Sequence, residues 1–136
     1  MGEIEISTDP ARLDVEAIHA FLAESYWAAG RTRAVVERSL AASLCFGAYD
    51  GARQVGLARV VTDRATFAYL CDVYVVDSHR GGGIGKRLMQ AVVAHPDLHG
   101  LRRFHLVTRD AHGLYERFGF APLAQPERHM ERMHVP

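Results

Sequence analysis

The sequence lacks several features that would assign it to a specialised class of protein. Two cysteines among 136 residues are too few for a disulfide scaffold. Sixteen basic and sixteen acidic residues leave no net charge, so the basic excess expected of a nucleic-acid-binding or membrane-surface protein is missing. No apolar run approaches the roughly 18 residues of a membrane span. With 49% hydrophobic residues, the composition is that of a globular protein, and we expect one domain over residues 1–136.

Few residues suggest a disulfide or a metal site. Cys45 and Cys71 both fall in predicted strands, and the acidic N-terminus lacks the apolar segment of a signal peptide, so we expect reduced thiols and a cytoplasmic protein. Eight histidines are many for this length. His95 and His99 have the i, i+4 spacing of metal ligands, but the helix-breaking Pro96 separates them. The sequence therefore predicts no metal.

What the sequence does contain is a dense glycine cluster between a predicted strand at 66–76 and an amphipathic helix that Pro96 stops. Four of residues 81–85 are glycine, which tolerates positive φ and lets the backbone approach a ligand closely. The helix directs its unpaired N–H groups and the positive end of its dipole at this loop, and Arg80 and Lys86 add charge on either side. These features predict a receptor for an anion, such as the phosphates of a nucleotide-type cofactor.

Two common phosphate-binding motifs fail at this loop because of their spacing. A P-loop would need glycine at position 80 and serine or threonine at position 87, where the chain has Arg80 and Arg87. A Gly-x-Gly-x-x-Gly dinucleotide motif would end on position 86 or 88, where the chain has Lys86 and Leu88. Neither nucleotide-binding class therefore explains the glycines.

A third phosphate-binding pattern, Arg/Gln-x-x-Gly-x-Gly/Ala, is present as Arg80, Gly81, Gly82, Gly83, Ile84 and Gly85. On this motif the chain resembles the GNAT superfamily of N-acetyltransferases, whose members bind the pyrophosphate of acyl-CoA there. Residues 72–76 resemble the superfamily strand that hydrogen-bonds the pantetheine arm, and residues 111–120 resemble its Ala-x-x-x-Tyr-x-x-x-Gly-Phe helix. The motifs follow in the expected order, and the resemblance covers residues 44–120 closely.

The resemblance implies that acetyl-CoA is the cosubstrate and assigns residues to it. The cofactor-binding residues would be the backbone of Val73, Tyr74 and Val75, the loop from Arg80 to Lys86, and Thr108. Thr108 is shorter than the Asn that the superfamily often has at this position. The resemblance also implies that Tyr115 protonates the leaving CoA thiolate, since a phenol keeps its proton at neutral pH. The alternative for Tyr115 is a half-buried residue that packs on the sheet.

A single carboxylate, Asp72, interrupts an otherwise apolar strand. Such a group is costly to bury unless it is hydrated or paired. The resemblance implies that Asp72 is the base that deprotonates the amine, directly or through water, and a structural salt bridge to an arginine is the alternative. Strand alternation places Asp72 on the same face as Leu70 and Tyr74. Asp63 and Asp110, at predicted strand ends, are weaker candidates for the base.

Aromatic and basic residues meet near the junction of the two predicted N-terminal helices. Tyr26 and Trp27, with Arg31 and Arg33, are candidates for binding a carboxylate or an aromatic group of the acceptor. The alternative is that Trp27 belongs to the core and that the arginines form a solvated face. The sequence leaves both interpretations open.

The predicted order of elements is β-α-α-β-β-β-α-β-α-β. The resemblance identifies this order as an α/β (α+β) three-layer sandwich around a mixed, mostly antiparallel sheet. We expect a first helix opened by Asp9-Pro10 and a second helix at 32–44. Strands follow at 45–50, 53–62 and 66–76, with a hairpin turn at Asp50-Gly51 and a bulge at Gly56. A strand at 104–108, a helix at 111–118 capped by Gly119, and a final strand near 129–134 complete the order.

The leading interpretation is transfer of an acetyl group from acetyl-CoA to the primary amine of a small or amino-acid-like molecule. A non-catalytic acyl-CoA sensor and a protein N-terminal or lysine acetyltransferase are the alternatives. We expect a small-molecule partner, neither nucleic acid nor membrane, and a homodimer is compatible with this fold by analogy.

Overall fold

The computed structural model describes residues 3–134. The strands are β1 (Ile4–Ser7), β2 (Leu44–Asp50), β3 (Arg53–Thr62), β4 (Phe67–Val75) and β5 (Arg103–Leu106). The helices are α1 (Val15–Ala23), α2 (Arg33–Ala41), α3 (Ile84–Ala94) and α4 (His112–Glu116). The sheet has the order β1-β2-β3-β4-β5, with antiparallel pairing up to β4 and parallel pairing of β4 with β5. The expected mixed, mostly antiparallel α/β architecture is confirmed.

Helices cover both faces of the sheet because each presents an apolar stripe at helical spacing. On one face, α1 and α2 bury Ile18, Leu22, Val36 and Leu40 against the sheet. On the other face, α3 buries Ile84, Leu88, Met89 and Val92. Burial of each large apolar side chain contributes about 1.5–3 kcal/mol, so α3 is firmly anchored behind the glycine loop that precedes it. No helix in the described part of the chain is long and apolar enough to cross a bilayer.

The first two helices begin and end differently from the sequence prediction. Asp9 caps only a single 3-10 turn, Pro10–Arg12, and α1 begins after a second cap, Asp14, whose carboxylate accepts from the N–H of Ala17 at 3.0 Å. The helix expected at 32–44 ends at Ala41, since its last apolar residue, Leu44, belongs to β2. Asp9 and Asp14 are both favoured N-cap residues, so the sequence alone does not show which of them begins the helix.

The final strand expected near 129–134 is wrong. Residues 129–134 have no regular secondary structure. His129 stacks on His105 of β5 with ring centroids 6.0 Å apart, but the backbone there does not pair with the strand. In the described part of the chain, β5 is therefore the edge of the sheet. The segment is poor in the β-branched residues that favour strands, which explains why the predicted strand does not form.

A β-bulge in β4 reverses the side-chain alternation on which the face of Asp72 was predicted. Leu57 pairs with Tyr74, and Arg59 pairs with Cys71. Asp72 and Val73 on β4 therefore lie opposite a single residue of β3, Ala58. Asp72 has a φ of 51°, a left-handed conformation that aspartate tolerates better than most residues.

As a consequence of this bulge, Leu70 packs on the α3 side, whereas Tyr74 packs on the α1/α2 side. The prediction that the two residues share a face is wrong.

A second irregularity replaces the bulge expected at Gly56. Ala48 pairs with Gly56 and Tyr49 pairs with Gln54, so the unpaired residue is Val55. Gly56 is needed for close packing instead, because a Cβ there would lie 3.0 Å from the carbonyl oxygen of Tyr74.

The parallel strands β4 and β5 separate just before the bulge. Their pairing runs from Phe67 opposite Arg103 to Leu70 opposite Leu106, and β4 continues to Val75. Among the described residues, no strand pairs with that edge of β4 after Leu70. The separation opens a cleft beside a free strand edge, a common place for a ligand to add main-chain hydrogen bonds.

Candidate active site

The glycine loop leads into α3 with its amides unpaired. Gly81 and Gly83 have φ values of 81° and 83°, and Gly83 occupies the N-cap position of α3 without a side-chain cap. Beside both glycines the space for a Cβ is open, so it is the left-handed backbone rather than crowding that requires glycine. Within the described chain, the amides of residues 82–86 donate to no acceptor. This loop and helix start can bind an anion.

The two cations beside the loop have different surroundings. The Nε of Arg80 donates to the carbonyl oxygen of Val75 at 3.1 Å, and its Nη1 lies 2.9 Å from an oxygen of Asp77. Arg80 thus joins the loop to the end of β4. Lys86 is exposed and forms no ion pair within residues 3–134. Its ammonium is therefore available to an incoming anion.

A buried histidine fixes the start of the glycine loop, and sequence reasoning missed it. The Nε2 of His79 lies 2.9 Å from an Asp50 carboxylate oxygen at the end of β2, and its Nδ1 lies 2.8 Å from the Ser78 hydroxyl. With Nε2 protonated, His79 donates to Asp50 and accepts from Ser78. The His79 side chain is only 8% exposed. The loop is thereby tied to the β2–β3 hairpin.

A cleft of about 560 Å³ lies where β4 and β5 separate. It brings together seven predicted site residues: Tyr26, Trp27, Arg31, Asp72, Val73, Thr108 and Tyr115. Tyr74, Val75 and the glycine loop lie outside it. The side chain of Tyr74 is buried and stacks on Phe21 with ring centroids 3.9 Å apart, so only its backbone could contact a cofactor.

Asp72 is the centre of a buried ion-pair network. Its Oδ1 accepts from the indole N–H of Trp27 at 2.8 Å. Its Oδ2 accepts from Arg31 Nη1 at 2.8 Å and from Arg59 Nε at 2.7 Å. The Asp72 side chain is 1% exposed.

The surroundings of Asp72 do not suit a base. Burial acts to raise the pKa of Asp72, but the hydrogen bond and charge of Arg59, helped by Trp27 and Arg31, outweigh it and hold the pKa below its ordinary value. A carboxylate with both oxygens occupied and a low proton affinity is a poor acceptor for the amine proton. The geometry favours the structural salt bridge, which the sequence left as the alternative to a base.

Arg59 is the network member that the sequence analysis did not identify. Its Nε contacts Asp72, its Nη1 donates to the Ser43 hydroxyl at 3.0 Å, and its side chain is 11% exposed. Arg59 interrupts the apolar strand β3 just as Asp72 interrupts β4. Two opposite charges in neighbouring apolar strands were the available signal for a buried pair.

Tyr115 lies in α4 between the cleft and a second cavity of about 300 Å³. Burial, with a smaller contribution from Tyr26, raises the pKa of the Tyr115 phenol above its ordinary value, so the phenol is protonated at neutral pH. Gly119 has a φ of 90° and ends this helical segment, as predicted, and Phe120 donates back to the carbonyl oxygen of Tyr115 at 3.3 Å. Tyr115 thus places a protonated phenol at the wall of the cleft.

The mouth of the cleft is formed by residues from two loops. Tyr26, between α1 and α2, is 55% exposed, and the guanidinium of Arg109, which follows β5, lies 3.8 Å from its ring centroid. Tyr26 also contacts Trp27 edge to face, with centroids 5.2 Å apart. Thr108 Oγ1 accepts from the N–H of Ala111 at 3.0 Å, which leaves its hydroxyl proton available.

The two cysteines are free, as expected. Cys45 is buried, and Cys71 lines the cleft. Burial, against the opposing charge of Arg59, raises the pKa of each thiol to about 11. Both thiols are therefore protonated and weakly nucleophilic. No group of histidine, cysteine, aspartate and glutamate residues suited to a metal ion occurs among residues 3–134.

Comparison with known proteins gives the family of this chain. The acetyltransferase (GNAT) domain model matches residues 41–122, more than half of the chain. A candidate acetyltransferase of Gibberella zeae is 36% identical over 137 residues, which is 84% of this chain and 76% of that protein. The chain belongs to the GNAT acetyltransferase family.

Two solved structures extend the comparison. A GNAT family member from Xanthomonas campestris pv. campestris is 52% identical, with a TM-score of 0.95 over 100% of this chain and 96% of that one. N-acetylglutamate synthase from Neisseria gonorrhoeae, solved with coenzyme A and N-acetyl-glutamate, is 17% identical. Its TM-score is 0.68 over 93% of this chain and 30% of that chain, so this second likeness is one of fold.

Proposed function

We propose that the protein transfers the acetyl group of acetyl-CoA to the primary amine of a small or amino-acid-like molecule, and that residues 1–136 act as one N-acetyltransferase domain. The observation that carries this proposal is the continuity of three features. The uncapped start of α3 adjoins the end of β4, the free edge of β4 runs into the cleft, and a protonated phenol, Tyr115, lines that cleft.

The residues present fit acetyl-CoA. The free amides of residues 82–86, with Arg80 and Lys86, suit its pyrophosphate. The backbone of β4 from Val73 to Val75 suits the amides of the pantetheine arm, as an added strand would. The Thr108 hydroxyl offers one further donor. Acetyl-CoA supplies the activated thioester, and the chain supplies the binding groups and the proton donor.

The chemistry needs a free amine and a protonated leaving group. A β4 amide can stabilise the negative charge that develops on the thioester oxygen as the amine attacks. Tyr115 donates its proton to the departing thiolate, and its raised pKa keeps that proton in place beforehand. Because Asp72 is fully paired, the amine proton passes to water in the open cleft or to Asp110 at its rim.

The first experiment measures cofactor binding by isothermal titration of acetyl-CoA and CoA. The wild type should bind with micromolar affinity, and Gly83→Glu should abolish binding because it places a carboxylate at the anion site. Gly100→Glu is the matched control, since Gly100 also has positive φ, at 73°, with open space for a Cβ, and lies outside the cleft and the glycine loop. Absence of wild-type binding would refute the proposal.

A second experiment separates an enzyme from an acyl-CoA sensor. Thiol release from acetyl-CoA is followed with a panel of primary amines and of peptides, for the wild type and for Tyr115→Phe. The variant should bind acetyl-CoA normally and lose about 10²–10⁴ in kcat, the usual contribution of a general acid. Binding without turnover for any amine or peptide would identify a sensor instead. Equal kcat for the two proteins would refute the role of Tyr115.

A further inference from the structure

The cleft has an excess of positive charge in a chain that carries no net charge. Three guanidiniums line it, from Arg31, Arg59 and Arg109, and they face two carboxylates, Asp72 and Asp110. Both oxygens of Asp72 are occupied by protein donors, and its side chain is almost fully buried. A cationic group on a substrate would therefore find only Asp110, which is exposed at the rim. The cleft disfavours diamines and polyamines.

Arg109 is the guanidinium with the most unused hydrogen-bonding capacity. Its only ionic partner in the described chain is the neighbouring Asp110, at 3.6 Å with both side chains more than 60% exposed, and such a surface pair is weak. The ring of Tyr26 covers one face of the guanidinium at 3.8 Å. Stacking leaves the N–H edge of an arginine free, and that edge matches the two oxygens of a carboxylate.

The second guanidinium with spare donors is that of Arg31. Only its Nη1 is engaged by Asp72 in the described structure, and its side chain is 24% exposed toward the cleft. Arg31 and Arg109 thus both present donors to the same space. Three aromatic residues besides Tyr26 also line the cleft, namely Trp27, Tyr69 and Tyr115.

We propose that the acceptor is a small amino acid that carries a carboxylate as well as its primary amine, and that Arg109, with Arg31, binds this carboxylate. This inference rests on the proposed acetyl transfer and names its substrate class. The carboxylate at the cationic rim would direct the amine inward, toward Tyr115 and the bulge of β4. The aromatic walls favour an apolar or aromatic side chain on the acceptor.

The test uses pairs of acceptors that differ only by the carboxylate: phenylalanine with 2-phenylethylamine, leucine with 3-methylbutylamine, and glycine with methylamine. Thiol release gives kcat/KM for each member, and mass spectrometry confirms the acetylated product. We expect the acid of at least one pair to be preferred by about 10-fold or more, because hydrogen bonds between charged groups are stronger than those between neutral groups.

Variants assign the preference to one side chain. Arg109→Gln should lower kcat/KM for the acid about 10- to 100-fold, leave the matching amine unchanged, and leave the acetyl-CoA affinity from titration unchanged. Arg109→Lys should restore part of the preference, since it keeps the charge without the two-pronged geometry. Arg102→Gln is the control, because Arg102 is exposed and lies outside the cleft.

Each other outcome overturns the inference. Decarboxylated amines that react as well as the acids would show that the carboxylate is not recognised. An equal loss of kcat/KM for both members of a pair in Arg109→Gln would show that Arg109 does not bind the carboxylate. Normal acetyl-CoA binding without turnover for any pair would exclude small amino acids as acceptors. Failure of the proposed function has a different signature, the absence of acetyl-CoA binding.

Discussion

Replacing Asp72 by asparagine should destabilise the protein strongly, although the change is nearly isosteric and asparagine tolerates the left-handed φ of 51° at this position. The substitution leaves the guanidiniums of Arg31 and Arg59 close together without a counter-charge. Removal of one partner from a buried ion pair costs about 3–5 kcal/mol. Arg59 is 11% exposed and cannot be hydrated well, whereas Arg31 is 24% exposed and can recover some hydration. We therefore expect about 3 kcal/mol.

The assay is urea unfolding, followed by circular dichroism, with a thermal scan as a second measurement. For a chain of this length, 3 kcal/mol corresponds to a fall in Tm of about 10 °C. Asp110→Asn is the matched control, since Asp110 lines the same cleft but is 69% exposed, and it should change stability by about 0.5 kcal/mol or less. If Asp72→Asn lowers the unfolding free energy by less than about 1 kcal/mol, Arg31 and Arg59 do not depend on the Asp72 charge, and the prediction is refuted.

The same pair of proteins gives a pH test of the network. The pKa of Asp72 is lowered in the folded protein, so its carboxylate stabilises the fold above the ordinary aspartate value of 3.8. This stabilisation is lost as the pH falls below 3.8 through the folded pKa. The difference in unfolding free energy between wild type and Asp72→Asn should be constant near neutral pH and shrink below pH 3.8. A difference that grows on acidification would contradict the assigned direction.

Two further predictions concern residues outside the cleft. The hydroxyl of Tyr49 is buried without a hydrogen-bond partner in the described chain, and an unsatisfied polar group costs about 1–3 kcal/mol. Tyr49→Phe should therefore raise the unfolding free energy by about 1 kcal/mol in urea, and a loss of stability would show that the hydroxyl is satisfied. Asp50→Asn weakens the contact that fixes His79 at the glycine loop. It should raise the KM for acetyl-CoA several-fold at unchanged kcat, and an unchanged KM would exclude a positioning role.

The parts of the fold that were predicted correctly depend on local signals. Asp50-Gly51 marks the β2–β3 hairpin, and Gly51 adopts a φ of 61° as such a turn requires. The glycines before α3 and Gly119 after α4 take up positive φ where the helix signals placed them. Each signal needs only a few consecutive residues, so the sequence specifies it without knowledge of the tertiary structure.

The sequence could suggest that Asp72 pairs with an arginine but not which residues surround it, because the members of the network are far apart in the chain. Asp72 lies 13 residues from Arg59, 41 from Arg31 and 45 from Trp27, and nothing local pairs them. The bulge was also hidden, since it places an aspartate, and not a glycine, in the left-handed conformation. Alternation therefore gave Leu70 and Tyr74 the same face, although the bulge puts them on opposite ones.

The bulge at Asp72 links the stability of the protein to the shape of its cleft. One extra residue turns the carboxylate toward Trp27 and Arg31, which fixes the loop between α1 and α2. The same irregularity comes just after the pairing between β4 and β5 ends. Loss of activity in Asp72→Asn would therefore not identify a base. A missing base changes the acidic limb of the pH profile of kcat, whereas a displaced loop raises the KM for the acceptor and leaves that limb unchanged. We expect the second result, because Asp72 has no free oxygen with which to accept a proton.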